Sequence, residues 1–236
     1  MPRKKNNGEI LCVYCQDRPG DTKDHVIPRL LLPKVIPYGT QLITVSSCFE
    51  CNNRKSLDDA YLRDLLSHDV HTQDHPGAEC LRDKFHSSCK KNRSEIARVI
   101  SNAQIKDSIY ISTRIYVGDF ISPKVEVKRL QNIFSNIVIG LHFNSYRKHI
   151  PVQYTFNIHQ ALSPEVDQVI IEWEKITNRK ISAVKKFYFG QAHLFLEDDP
   201  FQFLWLLVFF GGYTTIVESQ LMANFDRRSG YGKPNE

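Results

Sequence analysis

Two Cys-x-x-Cys pairs constrain this chain more than any other feature. Cys12 and Cys15 form the first and Cys48 and Cys51 the second, with 32 residues between them. Four thiolates in two paired knuckles suit a tetrahedral zinc ion. The segment between the pairs is too short to build its own core, and structural zinc contributes about 10–16 kcal/mol to folds of this size. Disulfides or free buried thiols are the competing use of the four cysteines. Residues 1–10, "MPRKKNNGEI", are basic and polar, with no apolar run after them. That points to a cytoplasmic protein, and a reducing compartment favours metal over disulfides.

Between the knuckles stands "KDHVIP" (23–28), and the second knuckle runs into two carboxamides and two cations, "CFECNNRKS" (48–56). Phosphodiester hydrolysis needs groups of these kinds. A base must take a proton from water near neutral pH, and an imidazole, here His25, titrates there. A divalent cation must stabilise charge on the phosphorus and on the leaving oxygen. Magnesium or manganese takes a few hard oxygen ligands and keeps its waters. Asp24 supplies a carboxylate, and Asn52, fixed beside Cys51, supplies a carboxamide oxygen. Arg54 and Lys55 would then face the incoming phosphates. An isolated Asp-His pair is ordinarily structural; its company here gives it a chemical meaning.

These motifs, over residues 12–66, resemble the HNH endonucleases of the ββα-metal fold. The matching text is "DHVIPRLLLPKVIPYGTQLITVSSCFECNNRKSLDDAYLR", residues 24–63. The resemblance implies a two-stranded ribbon followed by a helix, with His25 as general base at the end of the first strand. It implies Asp24 and Asn52 as ligands of a catalytic Mg²⁺ or Mn²⁺, and Cys12, Cys15, Cys48 and Cys51 as ligands of structural Zn²⁺. The products would carry a 5′-phosphate and a 3′-hydroxyl. The loop-bracing asparagine of the family is here Gln41, a longer arm that either does the same work or lowers activity. Asn53 is a secondary candidate, for shaping the helix start or contacting substrate. The region after the module bears a fainter likeness to segments that follow such modules ("IVIGLHFNSYRKHIP"), and a role in phage defence is suggested only by the company the family keeps.

The expected class is α+β, a zinc-stapled N-terminal module followed by an α+β C-terminal domain. The divisions are a basic tail (1–8), the nuclease module (9–72), a basic linker (73–95) and a C-terminal domain (96–236). Ser56 and Asp59 suggest a capping box opening a helix over 56–66 with Leu57, Tyr61 and Leu65 on one face. Residues 108–117 read as one strand and 152–158 as another. Residues 126–149 read as a long helix with a stripe of Val127, Leu130, Ile133, Phe134, Ile137, Val138 and Leu141. Pro164 opens a second helix carrying Val166, Val169, Ile170 and Trp173. Residues 183–189 and 191–196 suggest paired strands, and 203–217 a hairpin through Gly211-Gly212. The run "FLWLLVFF" (203–210) is too short to span a bilayer, so no membrane role is expected.

The net charge is +5. Much of it falls in 80–106, where Arg82, Lys84, Lys90, Lys91, Arg93, Arg98 and Lys106 outnumber Asp83 and Glu95. Phosphate contacts from such a segment give salt-dependent, sequence-independent affinity, and a solvated linker is the plain alternative. DNA, before RNA, is the expected partner. Cys80 and Cys89 with His86 read as ordinary residues before a second metal cluster, and His68, His71 and His75 as solvated or capping groups. Two other functions compete. One is a catalytically silent zinc knuckle that binds nucleic acid or protein. The other is a nuclease activated by a protein partner, or by self-association, through the C-terminal domain.

Overall fold

The computed structural model describes residues 10–33, 42–69, 72, 74–91, 103–111, 115–123, 125–161, 168, 171–176, 189–196 and 199–222. The basic tail, Gln41, His71, Arg93, Arg98, Val166, Val169, Ile170 and residues 183–188 lie outside them, as does the side chain of Cys89.

The first strand, β1 (Thr22–His25), pairs antiparallel with β2 (Thr44–Ser47), placing Asp24 opposite Val45 and His25 opposite Thr44. The ladder continues from Val26 N–H to the Ile43 carbonyl at 2.9 Å. Helix α1 (Phe49–His68) follows at once. It opens at Cys48, whose sulfur accepts the Cys51 N–H, eight residues before the capping-box serine the sequence suggested. Ser56 lies inside the helix, and its hydroxyl donates to the Asn53 carbonyl at 2.7 Å. The inward stripe is Cys51, Lys55, Leu62 and Leu66, while Leu57 is 68% exposed.

The expected linker is largely helical. Helix α2 (Pro76–Lys91) is capped by His75, whose Nδ1 accepts the Gly77 N–H at 2.9 Å, with proline in the first helical position. Its buried Ala78 and Leu81 are few, so its sequence reads as polar. Lys84 donates to the carbonyls of Leu30 and Leu32, so this cation serves the fold.

The segment read as one strand is split between two, β3 (Ala103–Ile111) and β4 (Ile115–Pro123), paired in a sheet of their own. Helix α3 (Val127–Tyr146) ends at Arg147 in the left-handed conformation, five residues after a final buried His142. Six of the seven stripe residues are buried; Val127, in the first turn, is exposed. A four-stranded antiparallel sheet completes the fold, in the order β5 (Tyr154–Ala161), β8 (Tyr213–Leu221), β7 (Phe203–Phe209), β6 (Phe189–Phe195). Positions 189 and 191–195 thus belong to one strand, paired with β7. The hairpin through Gly211-Gly212 is present, and residues 171–176 are helical around buried Trp173.

One apolar cluster joins the two halves. Val13, Val26, Val45, Leu62, Leu66 and Leu81 pack with Ile137, Leu141, Phe203 and Trp205. The apolar face of α3 and the aromatic hairpin are therefore spent on core. At Gly140 of α3 the approach is close, and an added Cβ would lie 2.6 Å and 2.8 Å from the methyls of Val26. Only glycine lets α3 seat against the residue following His25. Arg129 ties the same helix to α1, donating to Asp58 at 2.8 Å and to the Leu57 carbonyl at 2.8 Å and lying over the Tyr61 ring.

Candidate functional site

The first knuckle is a tight loop closed by the Cys12 N–H to the Arg18 carbonyl at 2.8 Å, with Gln16 in the left-handed region. It docks on β2 through Val13 N–H to the Ser46 carbonyl at 2.9 Å. Gly20 permits this, since a Cβ there would meet the Cβ of Ser46 at 2.7 Å. The second knuckle is the junction of β2 and α1. Strand pairing thus brings Cys12, Cys15, Cys48 and Cys51 together, with all four sulfurs within 4.8 Å of one another.

This spacing fits zinc. A tetrahedron with Zn–S of about 2.3 Å has sulfurs about 3.8 Å apart, and Cys15 and Cys48 are 3.9 Å apart. A disulfide needs about 2.05 Å, and all four cysteines are free thiols. The four residues can hold a structural zinc ion. Thiolates around a divalent ion carry surplus negative charge, which neighbouring donors offset. The Cys51 N–H approaches Cys48 at 3.5 Å and the Arg54 guanidinium approaches the Cys51 sulfur at 3.9 Å. Burial raises the Cys12 thiol, but N–H groups of Cys15, Cys48 and Tyr14 outweigh it and bring Cys12 down to about 7. Burial pushes Cys48 and Cys51 up; a bound cation favours their thiolates.

Asp24 is only 5% exposed. Its Oδ2 accepts from the Tyr14 hydroxyl at 2.5 Å and lies 3.4 Å from the Lys55 ammonium. Lys55, 3% exposed, also donates to the His25 carbonyl at 3.0 Å and to Asp59 at 3.2 Å. It is thus an interior cation, where the sequence suggested a phosphate-facing one. Burial, outweighing Lys55, pushes the Asp59 carboxyl up to about 6. Burial and the neighbouring Asp24 charge push the Tyr14 phenol well above its ordinary value. Two carboxylates therefore share one ammonium here, an excess of negative charge that a cation would offset.

Asn52, in the first turn of α1, donates through Nδ2 to the Thr22 hydroxyl at 3.2 Å, and that hydroxyl donates to the Ser47 carbonyl at 2.7 Å. Thr22 and Asp24 are two apart on β1 and share a face. His25 is half-buried on the alternate face, at the strand's end. Among the described residues, no hydrogen bond engages its ring, and none joins Asn52 to Asp24. Asn53 is exposed, as are Lys90 and Lys91 in the last turn of α2. His68 bonds the Asp64 carbonyl within α1.

Tyr14 is the residue that sequence reasoning missed, and Asp59, read there as half of a capping box, instead pairs with Lys55. Tyr14 looks like a spacer inside Cys-x-x-Cys. Asp59 stands four residues after Lys55, the spacing of a helical ion pair, once α1 is known to begin at Phe49.

No helix among the described residues is long and apolar enough to cross a membrane. Comparison with protein-family models, curated proteins and solved structures finds no match to this chain.

Proposed function

We propose that this chain is a metal-dependent endonuclease of the HNH type, hydrolysing phosphodiester bonds of DNA. The observation that carries the reading is local. Two antiparallel strands followed by a helix hold Asp24, with Thr22 as anchor for Asn52, on one face of β1 beside four zinc-suited thiolates. The donor set fits a hard cation, since Asp24 offers a carboxylate oxygen, Asn52 a carboxamide oxygen, and the surrounding carboxylates outnumber Lys55.

Asp24 and Asn52 would hold Mg²⁺ or Mn²⁺, which supplies positive charge to the scissile phosphate and the leaving oxygen. His25 takes the proton from the attacking water; its ring is engaged by no hydrogen bond among the described residues. Lys55 holds the strand end through the His25 carbonyl while partly balancing Asp24. Lys90 and Lys91 offer exposed charge to the phosphate backbone.

The test is conversion of supercoiled plasmid to nicked or linear form by zinc-loaded protein with added Mg²⁺ or Mn²⁺, beside a single-stranded RNA of equal length. EDTA should stop cleavage and Mg²⁺ alone should restore it at unchanged zinc content. A silent binding module is the second reading, favoured by the Lys55 ammonium already paired with Asp24. Salt-sensitive DNA binding without cleavage would select it.

A further inference from the structure

We propose that Tyr14 is a positioning residue that couples the zinc knuckle to Asp24, fixing Oδ2 so that Oδ1 is presented to a divalent cation. The inference rests on the reading of Asp24 as a cation ligand. Tyr14 lies between two of the four thiolates, so a bound zinc ion fixes its backbone on both sides. The Val13 N–H bond to the Ser46 carbonyl clamps the same loop to β2. The Tyr14 hydroxyl donates to Oδ2 of Asp24 at 2.5 Å. The Lys55 ammonium falls on the same oxygen, and neither contact engages Oδ1.

The second knuckle reaches the same strand face by its own route, through Asn52 on Thr22. A zinc ion held by the four thiolates would therefore fix two arms against β1, Tyr14 from the first pair and Asn52 from the second. A carboxylate held at one oxygen has lost the rotation that would let it turn from an incoming cation or chelate it with both oxygens. Partners of this kind, removed from behind metal ligands, typically cost about 10–100-fold in metal affinity.

The experiment is Mn²⁺ binding to zinc-loaded full-length protein, followed by the loss of the free-ion paramagnetic resonance signal, with zinc counted in parallel. The wild type should bind Mn²⁺ at a site lost in Asp24→Asn. Tyr14→Phe, which keeps the ring and removes the hydroxyl, should retain its zinc and bind Mn²⁺ at least about 10-fold more weakly. Wild-type Mn²⁺ affinity in Tyr14→Phe, with Asp24→Asn inactive in binding, would overturn the role of Tyr14 and leave the Asp24 reading standing. Absence of any Asp24-dependent Mn²⁺ site in the wild type would overturn both. Should Tyr14→Phe lose zinc, 3-fluorotyrosine at position 14 replaces it. Its fluorine resonance should shift on adding Mg²⁺ to the Asp24 protein and not to Asp24→Asn, and no shift in the former would overturn the coupling.

Discussion

His142 offers a stability test whose size follows from its surroundings. It is 1% exposed on α3, and neither ring nitrogen has a hydrogen-bond partner. Tyr146, Phe201 and Phe203 surround it, the last stacked at 5.3 Å. Burial, then the nearby His193 and Lys148, lower its pKa to about 4. The unfolded chain therefore binds the proton more readily, and stability falls as pH drops from about 6.5 towards 4. Linkage between those two values gives a loss of about 2 kcal/mol from pH 7 to 5 and about 3 kcal/mol by pH 4. Asp59, raised to about 6, acts in the opposite sense over the same window, so the whole protein's pH profile does not isolate either group. The difference between wild type and His142→Phe does, since Asp59 and the thiolates are common to both. Urea unfolding of the two proteins at pH 7 and pH 5 should show the wild type losing about 2 kcal/mol more than the variant. Equal losses would refute the assignment of His142 as a neutral, unpartnered core histidine.

Two further outcomes follow from named contacts. Cys48→Ser should lose the zinc ion and with it the stability of the first block, although the serine can still cap α1, read as zinc per chain and urea unfolding; a stable, zinc-loaded variant would contradict the four-thiolate centre. Gly140→Ala should destabilise by up to about 2 kcal/mol, the overpacking cost of about 1–3 kcal/mol less a helix-propensity gain of about 1 kcal/mol, and a Val26→Ala background should shrink the loss, measured as a double-mutant cycle in urea.

The four-cysteine cluster was legible because cysteine spacing is a local signal that the fold need only close. Helix α3 and the β7–β8 hairpin were legible because each buries a full apolar face. Helix α2 was not, since it docks through little more than Ala78 and Leu81 and otherwise reads as a charged loop. Lys55 was misjudged for a related reason. Beside Arg54 it looks like part of a basic lip, but on a helix starting at Phe49 it falls in line with Cys51, Leu62 and Leu66. The stripe runs through a lysine because Asp24 and Asp59 wait for it. Tyr14 was illegible because its partner lies ten residues on, across a turn that no periodicity announces.

Whether His25 is the general base is decided by the initial rate of plasmid nicking by wild type and His25→Ala, at equal zinc content and saturating Mg²⁺. A general base contributes about 10²–10⁴-fold, so the variant should cut at least about a hundredfold more slowly while keeping its zinc and its fold. Equal rates in the two proteins, or a zinc-loaded wild type that cuts nothing, would contradict the account.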